Sequence, residues 1–287
     1  MKKAYIKYIL PLLMFGANGI VASRISLSSY ETVLFRTLIG SAFLIALFFI
    51  SKQKMTFLQN KRDFVFLAIS GVAMGASWMF LYEAYKQVGV SVATLAYYCG
   101  PVIVMLLSAL IFGEKLTWAK IVGFLAVVCG MVLVNIQAFS EGKTIWGLIC
   151  GGLSAVMYAA MVIFNKKAKN ITDLQNSALQ LLISFITAAV FVGVKQGVEI
   201  NVPAQDWIYI LILGVVNTGI GCYFYFSSIG KLPVQTVAVC GYLEALSAVV
   251  FSVIFLGEAM LPMQIVGAVL IIGGAVFAEM LGRCKTS

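Results

Sequence analysis

No histidine occurs in this chain, and acids are scarce: Asp and Glu number 11 against 20 Lys and Arg, with only 11% of 287 residues charged. Without His the usual catalytic base and the commonest metal ligand are missing. The six cysteines, Cys99, Cys129, Cys150, Cys222, Cys240 and Cys284, show no C-x-x-C spacing, and five lie inside apolar runs. They read as small packing residues, not as a disulfide framework or metal site. No G-x-x-x-x-G-K-[ST] loop is present, so any energy must come from a gradient, and no cofactor is expected. What is abundant is apolar: 62% of residues are hydrophobic and mean hydropathy is +1.01. Soluble domains carry roughly 25% charged residues; the solvent of this chain is lipid. The net charge of +9 would suit nucleic acid, but the basic residues sit in short loops between apolar runs. There they report orientation, and no nucleic-acid partner is expected.

A crossing needs about 20 apolar residues. Spans are expected at 4–22, 32–50, 64–82, 90–112, 117–135, 144–164, 176–194, 207–226, 234–256 and 262–280. Met1-Lys2-Lys3 before an apolar run resembles a signal peptide, but Pro11, Gly16, Asn18 and Gly19 interrupt that run, so it is kept as span 1. With the N-terminus in the cytoplasm, fifteen Lys and Arg fall inside and five outside, namely Arg24, Arg36, Lys86, Lys143 and Lys195. This positive-inside bias places both termini in the cytoplasm of an inner (plasma) membrane protein.

The stretch Tyr98–Val134 is written twice. A shift of 144 lays Tyr98 on Tyr242, Gly113-Glu114 on Gly257-Glu258, Gly123 on Gly267 and Gly130 on Gly274, with 9 identities in 37 gap-free positions. Shared composition would supply several Val and Ile; it would not supply the Gly-Glu break and two glycines in one register. Two halves follow, 1–140 and 141–287. Five spans per half is an odd number, so the copies insert upside down relative to one another. The charges agree: Lys115 and Lys120 flank the first Gly-Glu turn, while Ala259 and Gln264 take their places at the second. The fold class read from this is an all-α polytopic membrane protein, ten transmembrane helices in a 5+5 inverted repeat. Such repeats belong to secondary transporters, which bind substrate near mid-membrane between the halves.

With Tyr98-x-x-Pro101 leading to Gly113-Glu114, and Tyr242-x-Glu244 leading to Gly257-Glu258, the chain resembles the ten-helix EamA-type members of the drug/metabolite transporter superfamily. That family usually has Tyr-x-Glu-Pro at the second place, whereas this chain has Ala245, so a kink in span 9 like that of span 4 is left open. The resemblance implies a central cavity among spans 1, 3, 4, 6, 8 and 9, with spans 5 and 10 peripheral. It implies transport of small organic solutes without naming one.

Glu244 is the most informative residue, an acid near the middle of span 9. A charge at a helix centre costs about 2.5–3.5 kcal/mol on insertion scales. It is expected to exchange a proton or meet a cationic substrate group; the alternative is a structural acid satisfied by a neighbouring hydroxyl. Trp78, Tyr98, Tyr158 and Tyr242 are the aromatic pocket candidates, while Tyr82, Tyr85 and Tyr225 read as interfacial belt residues. Asn18 and Asn217 either contact substrate or bond helix to helix. Pro101 is expected to remove a hydrogen bond from span 4 and act as a hinge. Gly113, Glu114, Gly257 and Glu258 read as structural turns, and Glu83 with Lys86 as an interfacial ion pair. Gly71-x-x-x-Gly75 and Gly147-x-x-x-Gly151 read as packing faces.

The reading is a secondary-active exporter of a small organic metabolite such as an amino acid, working by alternating access in the lipid bilayer, with proton coupling, as a monomer or homodimer. The alternative is a flippase of a lipid-linked or amphipathic substrate. A membrane enzyme would need clustered acids, His or Cys at a membrane face, and the sequence offers none.

Overall fold

A computed structural model describes residues 2–22, 24–52, 56–88, 93, 96–97, 99–113, 117–134, 145–196, 202–256 and 262–283. Its helices are α1 (Lys2–Gly16), α2 (Asn18–Ala22), α3 (Ser29–Ile50), α4 (Lys61–Val88), α5 (Gly100–Phe112), α6 (Trp118–Val134), α7 (Ile145–Lys167) and α8 (Asp173–Gln196). Then come α9 (Trp207–Leu211), a π-helical stretch Ile212–Ile220, α10 (Gly221–Ile229), α11 (Val234–Gly241), α12 (Leu243–Leu256) and α13 (Pro262–Arg283). Among the described residues six helical stretches are long and apolar enough to cross a membrane: Ala4–Ala22, Tyr30–Ile50, Lys61–Ala84, Ile145–Lys167, Asp173–Lys195 and Ala204–Ile229. Shorter apolar helices include Trp118–Gly130 and Ile265–Ala278.

Helix ends follow local chemistry. A capping box opens α3: the Ser28 hydroxyl accepts from the Glu31 N–H at 3.3 Å, and the Glu31 carboxylate accepts from the Ser28 N–H at 2.8 Å. Gly113 closes α5 at φ +65, a left-handed conformation that favours glycine. Its partner Glu114, and the second turn Gly257-Glu258, lie outside the described residues.

In lipid, helices associate through small residues and side-chain hydrogen bonds. The α4–α7 pair is tied by reciprocal serines, Ser77 Oγ donating to the Ser154 carbonyl at 2.9 Å and Ser154 Oγ to that of Ser77 at 2.8 Å. Gly71 and Gly75 face α8 so closely that an added Cβ would sit 2.7 Å from Ile183 Cβ and 2.8 Å from Thr187 Cβ. The tightest approach is between α6 and α13. A Cβ on Gly123 would fall 2.4 Å from the Gly274 carbonyl oxygen, and one on Gly130 would fall 2.5 Å from that of Gly267. Residue 123 therefore opposes 274 and 130 opposes 267, so the two helices run antiparallel.

Three surface readings change. Arg36, counted above as an outer charge, is a buried residue, only 4% exposed. Tyr225 is no belt residue but a core one, 5% exposed. Glu83 pairs not with Lys86 but with Lys195 at 3.7 Å, while the Lys86 ammonium lies 4.3 Å from the centre of the Tyr30 ring. Cation–π contact satisfies Lys86 without an acid.

Candidate functional site

Two helix interruptions organise the interior. The first precedes α5. Cys99 N–H donates to the Ala96 carbonyl at 3.1 Å, a tight turn, and α5 starts at Gly100 with Pro101 in its first turn. A first-turn proline costs no intrahelical hydrogen bond, because those N–H groups have no partner there. Pro101 thus stands at the start of α5, directly after the interruption of span 4. The second interruption lies at Tyr242, between α11 and α12, and needs no proline. In the 144-residue register the two breaks fall within one residue of each other. Glu244 is consequently not at a helix centre: it occupies the first turn of α12, where negative charge suits the helix N-terminus.

The two breaks meet on Tyr158 of α7. A Cβ on Gly100 would lie 2.7 Å from Tyr158 Cδ1. One on Gly241 would lie 3.5 Å from the Tyr158 hydroxyl, 3.9 Å from the Tyr8 hydroxyl and 4.0 Å from Pro101 Cγ. Around this wedge gather tyrosines from separate helices. The Tyr158 and Tyr225 hydroxyls are 3.4 Å apart, the Tyr8 and Tyr225 rings 5.3 Å, and Tyr97 meets Tyr158 edge-on at 5.4 Å. The Tyr8 hydroxyl donates to the Val237 carbonyl of α11 at 2.8 Å. Tyr242 itself is 1% exposed and packs on Phe124 of α6 behind the break.

Glu244 is half-buried, yet the groups that feel its charge, Tyr8, Tyr158 and Cys222, are all buried. Arg36 acts on Glu244 electrostatically from α3. The Arg36 Nε–H donates to Thr218 Oγ1 at 3.0 Å, and the guanidinium carbon stacks 4.6 Å from the Trp78 ring centre. Thr218 belongs to the π-helical stretch and donates its own hydroxyl to the Leu213 carbonyl, five residues back, at 2.8 Å. Three glycines let α3 approach this stretch. A Cβ on Gly40 would meet Thr218 Cγ2 at 2.9 Å, one on Gly214 would meet Ile39 at 2.7 Å, and one on Gly219 would meet Phe43 at 2.7 Å.

Asn217 donates to Asn18 Oδ1 at 2.9 Å and to the Met14 carbonyl at 3.3 Å, so the two asparagines join the ends of the α1–α2 bend to the π-helical stretch. Of the predicted aromatic residues, Tyr158 and Tyr242 share one core cluster and Trp78 packs against it; Tyr98 lies outside the described residues. Sequence reasoning missed Arg36, Tyr8 and Tyr225. The signal for Arg36 was a lone cation within the apolar run 33–50.

The family comparison repeats the duplication: the EamA-like transporter family matches residues 2–136 and again residues 145–280. The chain belongs to the EamA-like transporter family. This EamA-like protein is 27% identical over 280 residues to the uncharacterized transporter YxxF of Bacillus subtilis (strain 168), covering 94% of this chain and 88% of the relative. It is 25% identical over 251 residues to the pseudopaline exporter CntI of Pseudomonas aeruginosa (strain UCBPP-PA14), covering 86% and 84%. It is 23% identical over 227 residues to a probable terminal-alkyne amino-acid exporter of Streptantibioticus cattleyicolor, covering 77% and 76%. A solved crystal structure 19% identical in sequence superposes with a TM-score of 0.83 across 100% of both chains, a likeness of fold. The EamA-like chain is thus a multi-pass membrane protein of a transporter family, with the bilayer as its solvent and a small molecule as its substrate.

Proposed function

We propose that the chain is a secondary-active exporter of small organic metabolites such as amino acids, working by alternating access between two inverted five-helix halves, 1–140 and 141–287. In this reading it crosses the inner (plasma) membrane ten times with both termini cytoplasmic. The observation that carries the proposal is the meeting of two helix interruptions, at Gly100 and Tyr242, on Tyr158 beside a half-buried carboxylate. Discontinuous helices whose half-helix ends face a mid-membrane cavity are how many secondary transporters build their sites. Inversion is supported by the glycine contacts of α6 and α13. Gly123 corresponds to Gly267 and Gly130 to Gly274, yet Gly123 touches Gly274 and Gly130 touches Gly267. That exchange of partners is what a two-fold axis requires, and antiparallel helices put the axis in the membrane plane.

Export is favoured because two relatives carry exporter in their names. Glu244 would carry the proton or face the substrate's cationic group, with Trp78, Tyr98, Tyr158 and Tyr242 forming or backing the pocket wall. Asn18 and Asn217 would fix the bend of span 1 against span 8, and Gly100-Pro101 and Gly241-Tyr242 would flex as the halves rock.

The test is flux from proteoliposomes loaded with a panel of amino acids and related metabolites, with and without a pH gradient. The proposal expects saturable movement of at least one soluble solute, competed by its analogues and accelerated by a proton gradient directed against the solute. Flux of a lipid-linked substrate that no soluble metabolite competes would instead select the flippase reading, and absence of any flux would contradict transport.

A further inference from the structure

Arginine stays charged at any physiological pH, and an intramembrane charge is expensive unless it is paired. Arg36 is 4% exposed and sits within a membrane-spanning helix, yet among the described residues no carboxylate lies within ion-pair distance of it. Its protein contacts occupy one edge and one face: Nε–H bonds to Thr218, and the guanidinium plane stacks on Trp78. Both contacts fix the orientation of the fork without neutralising it. The remaining Nη edge makes no hydrogen bond to the described residues, and its atoms are not among the sealed, unpartnered ones, so they keep some accessible surface. Glu244, in the first turn of α12, is near enough to interact electrostatically with Arg36, with no ion pair between the two.

A fixed guanidinium fork matches a carboxylate bidentately. A fixed carboxylate opposite matches an ammonium group. A solute carrying only one of these charges would set it against the like charge of the site, which is a penalty against the wrong partner. Resting on the transport reading above, we propose that Arg36 is the anion-binding residue of the transport site. Its guanidinium receives the carboxylate of a zwitterionic solute of the amino-acid type, whose ammonium group faces Glu244. The stacked Trp78 and the tyrosine wall then meet the solute's side chain.

The experiment compares three forms of each probe in proteoliposomes of the full chain: the free L-amino acid, its C-terminal amide and the corresponding decarboxylated amine. Because a charge-assisted hydrogen bond is lost, the wild type is expected to move the amide and amine roughly 10- to 100-fold less well than the acid. Arg36→Gln should erase the preference, lowering acid flux toward the amide level while relieving the like-charge penalty on the amide and amine, and Arg36→Lys should restore part of the preference. A merely structural arginine would lower all three fluxes together. Wild-type flux that does not distinguish acid from amide, or an Arg36→Gln variant that keeps the acid preference, would overturn the assignment while the transport reading stood. If none of the three forms moves, both fall. Should Arg36→Gln fail to fold, the wild-type ratio of acid to amide decides alone.

Discussion

Glu244→Gln is expected to lower transport about 10- to 100-fold, since a charge-assisted contact is worth about 1.5–3 kcal/mol, and to abolish the response to an imposed pH gradient. The reasoning begins with position. Glu244 stands in the first turn of α12 after a helix interruption, half-buried among buried tyrosines. Glutamine keeps the shape and one carbonyl oxygen but cannot release a proton or carry charge. As pH falls through the titration of Glu244, the wild type should approach the variant, whose own profile should be flat. Folding should move the other way. Burying an uncharged amide costs less than burying a carboxylate, so the variant should melt at the same temperature as the wild type or higher. Lost function with retained stability separates a working carboxylate from a structural one. An unchanged rate and unchanged pH response would remove Glu244 from the mechanism.

Gly274→Val should be the most destabilising of the small substitutions. Gly123 and Gly274 bring the α6 and α13 backbones together, with a Cβ on Gly274 falling 2.5 Å from the Gly123 carbonyl oxygen. Backbone cannot swing aside as a side chain can, so the helices must part. Overpacking of this kind costs about 1–3 kcal/mol and at times more; the upper end is expected here. Gly273, the adjacent residue on the same helix, is the internal control, because a Cβ there meets nothing within 4 Å. Gly273→Ala should be neutral, or stabilising by up to about 1 kcal/mol through helix propensity. Thermal unfolding in detergent reads both. Equal effects at the two positions would mean that α6 and α13 do not pack through these glycines.

Much of this was legible because hydropathy and repetition are local properties of sequence. Six of the expected runs, 4–22, 32–50, 64–82, 144–164, 176–194 and 207–226, coincide with long apolar helices, and Glu244 drew notice as an acid in an apolar run. The breaks were harder. Pro101 suggested a break in span 4, and a turn does precede it at Cys99; Tyr242 carries no breaker, yet α11 stops there. Gly241 lies against the Tyr158 and Tyr8 hydroxyls and Pro101, which belong to three other parts of the chain, so no window of sequence contains the surroundings of that interruption. The same holds for Arg36. By sequence it lies four residues into span 2 and counts as an outer charge. Only the close approach of α3 to the π-helical stretch, through Gly40, Gly214 and Gly219, turns it inward onto Thr218.

Opposed insertion of the two halves is the claim on which the pocket depends, and one labelling experiment addresses it. Single cysteines would be placed at Trp118 and Met263, exposed residues in the first turns of α6 and α13, in a variant with the six native cysteines replaced. With both termini cytoplasmic, an impermeant maleimide should label Met263→Cys on intact cells and Trp118→Cys only after permeabilisation. Labelling of both positions from the same face would contradict the inverted arrangement.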